Sequence, residues 1–176
     1  MEFLNPIKAG IPDYAKDVRL NLDGVIARSS LADTEALGVA LAAAFAAKSD
    51  ALVAAFRAQL PQADASAALA AASIMGMTNA WYSYIDMAED AAIKTTAAQL
   101  RMNAYQNHGG TTRRSFEAYA LSASIVGKCR FCVSSHVAVL RKEGLGDTEL
   151  RDICRIAAVV NAAAQVLAAE ARPAAA

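Results

Sequence analysis

Three cysteines and two histidines occur among the 176 residues of this chain, and three of those five fall within "KCRFCVSSH", residues 128–136. On a helix starting near residue 129, Cys129, Cys132 and His136 stand at i, i+3 and i+7, so at about 100° per residue they share one face. Unpaired backbone N–H groups and the macrodipole at a helix start favour a thiolate, and Lys128 and Arg130 add positive charge beside it. If the preceding helix turns back at Gly127, Glu117 lies about 13 Å before the bend and His136 about 10 Å beyond it, at similar depth. A carboxylate there fixes the imidazole tautomer and raises its basicity, and His136, one turn after Cys132, can take the thiol proton directly or through one water.

Two chemistries use such a set. In the first, a thiolate attacks a peroxide oxygen, the second thiol condenses with the resulting sulfenic acid, and an outside dithiol reduces the disulfide. In the second, Cys129, Cys132, His136 and Glu117 are four zinc ligands of a structural or regulatory protein, although structural zinc sites usually have two Cys or His knuckles and this chain has one. Two inert core cysteines beside a His and a Glu would waste polar partners. Haem attachment needs a His directly after the second Cys, where Val133 stands.

The elements that must hold these groups read as all-α. Helical periodicity recurs along the chain and no long stretch alternates with the period of a strand. Hydrophobic residues make up 56%, much of it alanine, which favours helix but contributes little transfer energy. One domain over 1–176 is expected, large enough to remove about 70% of its unfolded surface from water without disulfide staples. Pro12 opens a first helix with the stripe Ala15, Val18, Leu22, Val25. Ser30 with Asp33 reads as a capping box before a helix to Ala47. Ser49 caps the next, which ends before Pro61. A pair over 64–90 turns near Gly76, a short helix covers 92–105, and "NHGG" at 107–110 is a break. Three helices follow, over 112–126, 129–143 and 147–170, the first ended by Gly127, the second by Gly144 and Gly146, and the third capped by Asp147. Shifting the sequence by 80 positions lays "KSDALVAAF" on "KCRFCVSSH" and suggests an internal repeat whose first copy has no thiols.

Composition narrows the function classes. Seventeen basic and seventeen acidic residues cancel, which argues against a nucleic-acid-binding face. Six basic residues between Arg113 and Lys142 against one acidic, Glu117, read as a solvated surface or as a field favouring thiolates. Leu37–Ala47 and Ile156–Ala169 are too short or too interrupted to span a membrane, the start shows no secretory pattern, and a reducing cytoplasm is the expected compartment. Cys154, on the stripe Leu150, Ile153, Cys154, Ala157, is expected as a buried core thiol, and His108 as a loop residue. Met75, Met77, Trp81, Tyr82 and Met87 read as core or subunit contact, or as an apolar approach to the thiols.

Glu-x11-Cys-x-x-Cys-x3-His, together with "PDYAKDVRLNL", "IMGMTNAWY" and "LRMN", resembles the alkylhydroperoxidase D (AhpD) family of the carboxymuconolactone-decarboxylase-like superfamily over nearly the whole chain. The resemblance implies an all-helical antioxidant enzyme, usually a homotrimer, that reduces organic hydroperoxides and the disulfide of a partner peroxiredoxin, alkyl hydroperoxide reductase C. It implies no bound cofactor, and electrons from the dihydrolipoyl group of a lipoylated acyltransferase subunit. It assigns Cys132 as the peroxide-reactive thiol that becomes the sulfenic acid, Cys129 as the resolving thiol or proton donor, and Glu117 and His136 as the proton relay. The helix dipole alone would favour Cys129 as the more acidic thiol. Typical members carry His or Asp immediately before the second cysteine, where this chain has Phe131, so direct peroxidase turnover is expected to be weaker than dithiol exchange. A non-redox decarboxylase of the superfamily would have no need of vicinal thiols.

Overall fold

The computed structural model describes residues 1–171, leaving 172–176 of the expected domain outside the described residues. Its α-helices are α1 (Asn5–Ala9), α2 (Lys16–Leu22), α3 (Gly24–Ala27), α4 (Asp33–Ala46), α5 (Asp50–Arg57), α6 (Gln62–Ala88), α7 (Ala91–Lys94), α8 (Asn103–Gln106), α9 (Arg113–Val126), α10 (Arg130–Lys142) and α11 (Asp147–Glu170). Short 3-10 turns cover Glu2–Leu4, Asp13–Ala15 and His108–Gly110, and there is no strand among the described residues.

The centre of the body is α4 and α9, packed on each other and on both α6 and α11. Small side chains permit this. Ala40, Ala42, Ala43 and Ala44 of α4 and Ala118, Ala120 and Ala123 of α9 are all fully buried, so the backbones approach closely, while Phe56, Phe116, Tyr119 and Leu121 fill the remaining volume. The helix α11 is long and apolar enough by composition to cross a membrane, but it lays Ile153, Ile156, Val160 and Ala163 into this core against α4 and α9.

The repeat is structural. Moving α4 by 80 positions gives the bounds of α9, and both helices close through the same hydrogen bonds. Lys48 N–H donates to Phe45 O and Ser49 N–H to Ala44 O, while Lys128 N–H donates to Ile125 O and Cys129 N–H to Ser124 O. Each is a Schellman closure. Its left-handed residue is a lysine in both copies, Lys48 at φ 59° and Lys128 at φ 54°, in a region glycine enters more readily.

Several sequence expectations are corrected. Gly76 makes no turn: it lies inside the continuous 27-residue α6, with nothing near the Cβ it lacks. The helix expected over 92–105 is only α7 and α8, because Thr95 and Thr96 both donate their hydroxyls back to Ala92 O and close the first turn, and Gln99 is left-handed. Ser30 does not cap α4, whose N-cap is Ala32; its N–H and Oγ instead bind Asp152 Oδ2, each at 2.9 Å. Gly146 rather than Asp147 is the N-cap of α11, its N–H held by Glu149. Cys154 is exposed, not buried, because the inward face of α11 runs through Asp152, Ile153, Ile156 and Ala157.

Candidate functional site

The closure at Gly127 places the first cysteine. Cys129 is both the residue that ends the α9 turn and the N-cap of α10, where its sulfur accepts the N–H of Cys132 at 3.3 Å, the bond an N-cap Ser or Asp would make. Cys129 and Cys132 form a disulfide, with their Cα atoms 5.3 Å apart. Cys129 is fully buried, whereas Cys132 keeps 4% of its surface open.

Antiparallel return of the chain brings in the other two groups. His136 lies seven residues beyond Cys129 and Glu117 seven before Ser124, the carbonyl to which Cys129 is bonded. Accordingly His136 Nδ1 sits 2.6 Å from Glu117 Oε2, with both residues buried. Tyr105 of α8 donates its hydroxyl to the other carboxylate oxygen, Oε1, at 2.5 Å. Burial alone would push the Glu117 carboxyl upward, but the hydrogen bonds of His136 and Tyr105 and the nearby Arg113 charge hold it below the usual carboxylate range. Burial, followed by the Glu117 bond, raises the Tyr105 phenol above its ordinary value.

The second ring nitrogen of His136 does not reach Cys132. Nε2 lies 3.1 Å from Met75 Sδ on α6, which also receives the Thr78 hydroxyl at 3.5 Å. Cys132, His136, Met75, Tyr105, Tyr82 and Phe131 line one cavity of about 200 Å³. Between Cys132 and His136 that cavity has room for water. Phe131 stacks on Tyr82 with ring centroids 4.4 Å apart and stays half exposed at the rim. A larger cavity of about 540 Å³ lies beside Lys48, Ser49 and Asn79 and is lined by neither thiol nor imidazole.

All four predicted residues thus belong to one neighbourhood. The sulfurs are joined to each other, the imidazole nitrogens face Glu117 and Met75, and no group of three or more His, Cys, Asp or Glu among the described residues is arranged to hold a metal ion. Half of the basic run is paired: Arg113 with Glu143, Arg114 with Glu35 and Glu149, Arg141 with Asp147. Of the apolar cluster, Met75 is buried at the cavity, Tyr82 lines its rim, and Met77 and Met87 are exposed. Tyr105 was not singled out by the sequence, because a tyrosine in an irregular segment carries no periodic signal.

Residues 91–175 match the model of the Carboxymuconolactone decarboxylase family. The chain is 41% identical over 172 residues to a protein from Rhodospirillum centenum named alkyl hydroperoxide reductase AhpD, covering 96% of this chain and 92% of that one. It belongs to the AhpD family. Proteins of the same name from Maricaulis maris and Streptomyces avermitilis are each 39% identical, over 95% and 96% of this chain and 98% and 97% of theirs. The disulfide and the buried imidazole–carboxylate pair described above are consistent with the redox centre of the AhpD family.

Proposed function

We propose that this protein is an antioxidant alkyl hydroperoxide reductase working as a single AhpD-like domain, and that Cys132, Cys129, His136 and Glu117 carry the reaction. The observation that carries this reading is that Cys132 of the disulfide and His136, itself paired with buried Glu117, line the same cavity. Cys132 is the peroxidatic thiol: although Cys129 has the helix N-cap, Cys132 is the one that lines the cavity.

In the reduced enzyme, His136 takes the Cys132 proton, with Glu117 stabilising the imidazolium. The thiolate attacks the distal oxygen of ROOH, the O–O bond breaks, and the alkoxide leaves as ROH with the proton returned by His136. Cys132 sulfenic acid then condenses with the Cys129 thiol, releasing water and forming the disulfide. An external dihydrolipoyl dithiol, presented by a lipoylated acyltransferase subunit, exchanges through a mixed disulfide, leaving the lipoyl group oxidised and both cysteines reduced. By the same exchange the reduced pair regenerates a partner peroxiredoxin of the alkyl hydroperoxide reductase C type. A cytoplasmic homotrimer, as in the family, is the form assigned to it.

Consumption of cumene hydroperoxide with dihydrolipoamide as reductant tests this. Turnover that disappears in both Cys132→Ser and Cys129→Ser is expected. Stoichiometric, chelator-resistant zinc in protein purified without added metal, with no turnover, would favour the zinc reading instead.

A further inference from the structure

The carboxylate of Glu117 has two oxygens, and His136 uses one of them. The other accepts from Tyr105, on an element that supplies none of the four residues already assigned. The Tyr105 ring is half-buried, packed edge-on against Phe116 with centroids 5.7 Å apart, and its N–H is bonded to Met102 O, so the hydroxyl is held from both ends. Tyr105 also lines the cavity that contains Cys132.

We propose that Tyr105 is a positioning residue of this centre: its hydroxyl anchors Glu117 so that Oε2 stays directed at His136 Nδ1. The proposal rests on the proton-relay reading given above and adds a member to it. A carboxylate bound only by the imidazole can rotate about its last torsion, which is broad and roughly two-fold. A second donor on the opposite oxygen removes that freedom. The phenol suits this task because its proton stays on oxygen throughout the working pH range, so Tyr105 is always a donor and never a competing base. The other groups facing Glu117 are His136 from α10 and Arg113 from its own helix; α6 presents uncharged Met75 and Thr78 to the pair, and Glu35 of α4 is occupied by Arg114.

The test is Tyr105→Phe, which removes one oxygen and keeps the ring against Phe116. Carbon-13 NMR titration of the Glu117 side chain should show its midpoint moving up by about one pH unit, the scale of one hydrogen bond to a charged group. The rate of disulfide formation on adding cumene hydroperoxide to reduced protein should fall about tenfold, with its acid limb moved to higher pH. In a Glu117→Gln background, Tyr105→Phe should cost nothing further. An unchanged Glu117 titration would overturn the proposal, as would an equal rate loss in the presence and absence of Glu117. The NMR titration reads the anchor without any turnover, so failure of the parent protein to react with hydroperoxide would count against the peroxidase reading alone.

Discussion

His136 on α10 and Glu117 on α9 meet at 2.6 Å across a bend whose closing residue is Cys129. One helix reversal therefore sets both the depth of the imidazole–carboxylate pair and the start of the helix that carries the disulfide. Changes at the bend and changes at the pair should be felt together.

Glu117→Gln keeps the shape of the pair and removes the charge. The rate of peroxide-driven disulfide formation should fall by about 10²-fold, the usual scale for losing a positioned proton-transfer partner. Stability should respond to pH as well. The Glu117 carboxyl is held below its ordinary value in the folded protein, so its contribution is fully present above the unfolded value of about 4.3 and is lost as pH falls through the folded one. Urea unfolding should show the parent's advantage over Glu117→Gln shrinking below about pH 4; an advantage that grows on acidification would contradict this.

Phe131 stands at the cavity rim without a group able to move a proton. Phe131→His should raise peroxide turnover relative to exchange with dihydrolipoamide, at a loss of about 0.5–1.5 kcal/mol for the stack on Tyr82. Equal turnover in the two proteins would remove the explanation based on this position.

Gly38 sits under a buried ring: a Cβ there would meet Tyr119 Cε1 at 2.3 Å. Gly38→Ala should destabilise by about 1–3 kcal/mol through overpacking of α4 against α9, seen as a Tm lower by several degrees. A Tm equal to the parent's would mean that the two central helices separate at little cost.

Cys154 is the exposed cysteine on α11, away from the disulfide. Cys154→Ser should lower the thiol count of the reduced, native protein from three to two while leaving the rate of peroxide-driven thiol loss unchanged. A slower reaction in this variant would make Cys154 part of the cycle.

The grouping of Cys129, Cys132, His136 and Glu117 was legible because its signal is local and geometric. Cys129, Cys132 and His136 are fixed by one helical turn length, and Glu117 by the reversal that Gly127 announces. Tyr105 carried no signal because its contact joins α8 to α9, which no period reveals, and Met75, read as core, subunit contact or an apolar approach to the thiols, is buried at their cavity and reaches His136 from α6. Cys154 was misplaced because it lies between Ile153 and Ala157 on the apolar stripe, whereas the inward face of α11 turns through Asp152, a carboxylate bound by Ser30, Arg151 and Arg155. Gly76 misled for a related reason: a glycine inside a helix costs only about 1 kcal/mol, and the packing of α6 on α4 and α9 outweighs it.

The most direct measurement counts thiols in reduced protein before and after one equivalent of cumene hydroperoxide, with the products mapped by mass spectrometry. Two thiols should be lost, both recovered as a Cys129–Cys132 disulfide, and Cys129→Ser should instead stop at a sulfenic acid on Cys132. Loss of no thiols, or oxidation confined to Cys154, would contradict a peroxide-reducing centre at this site.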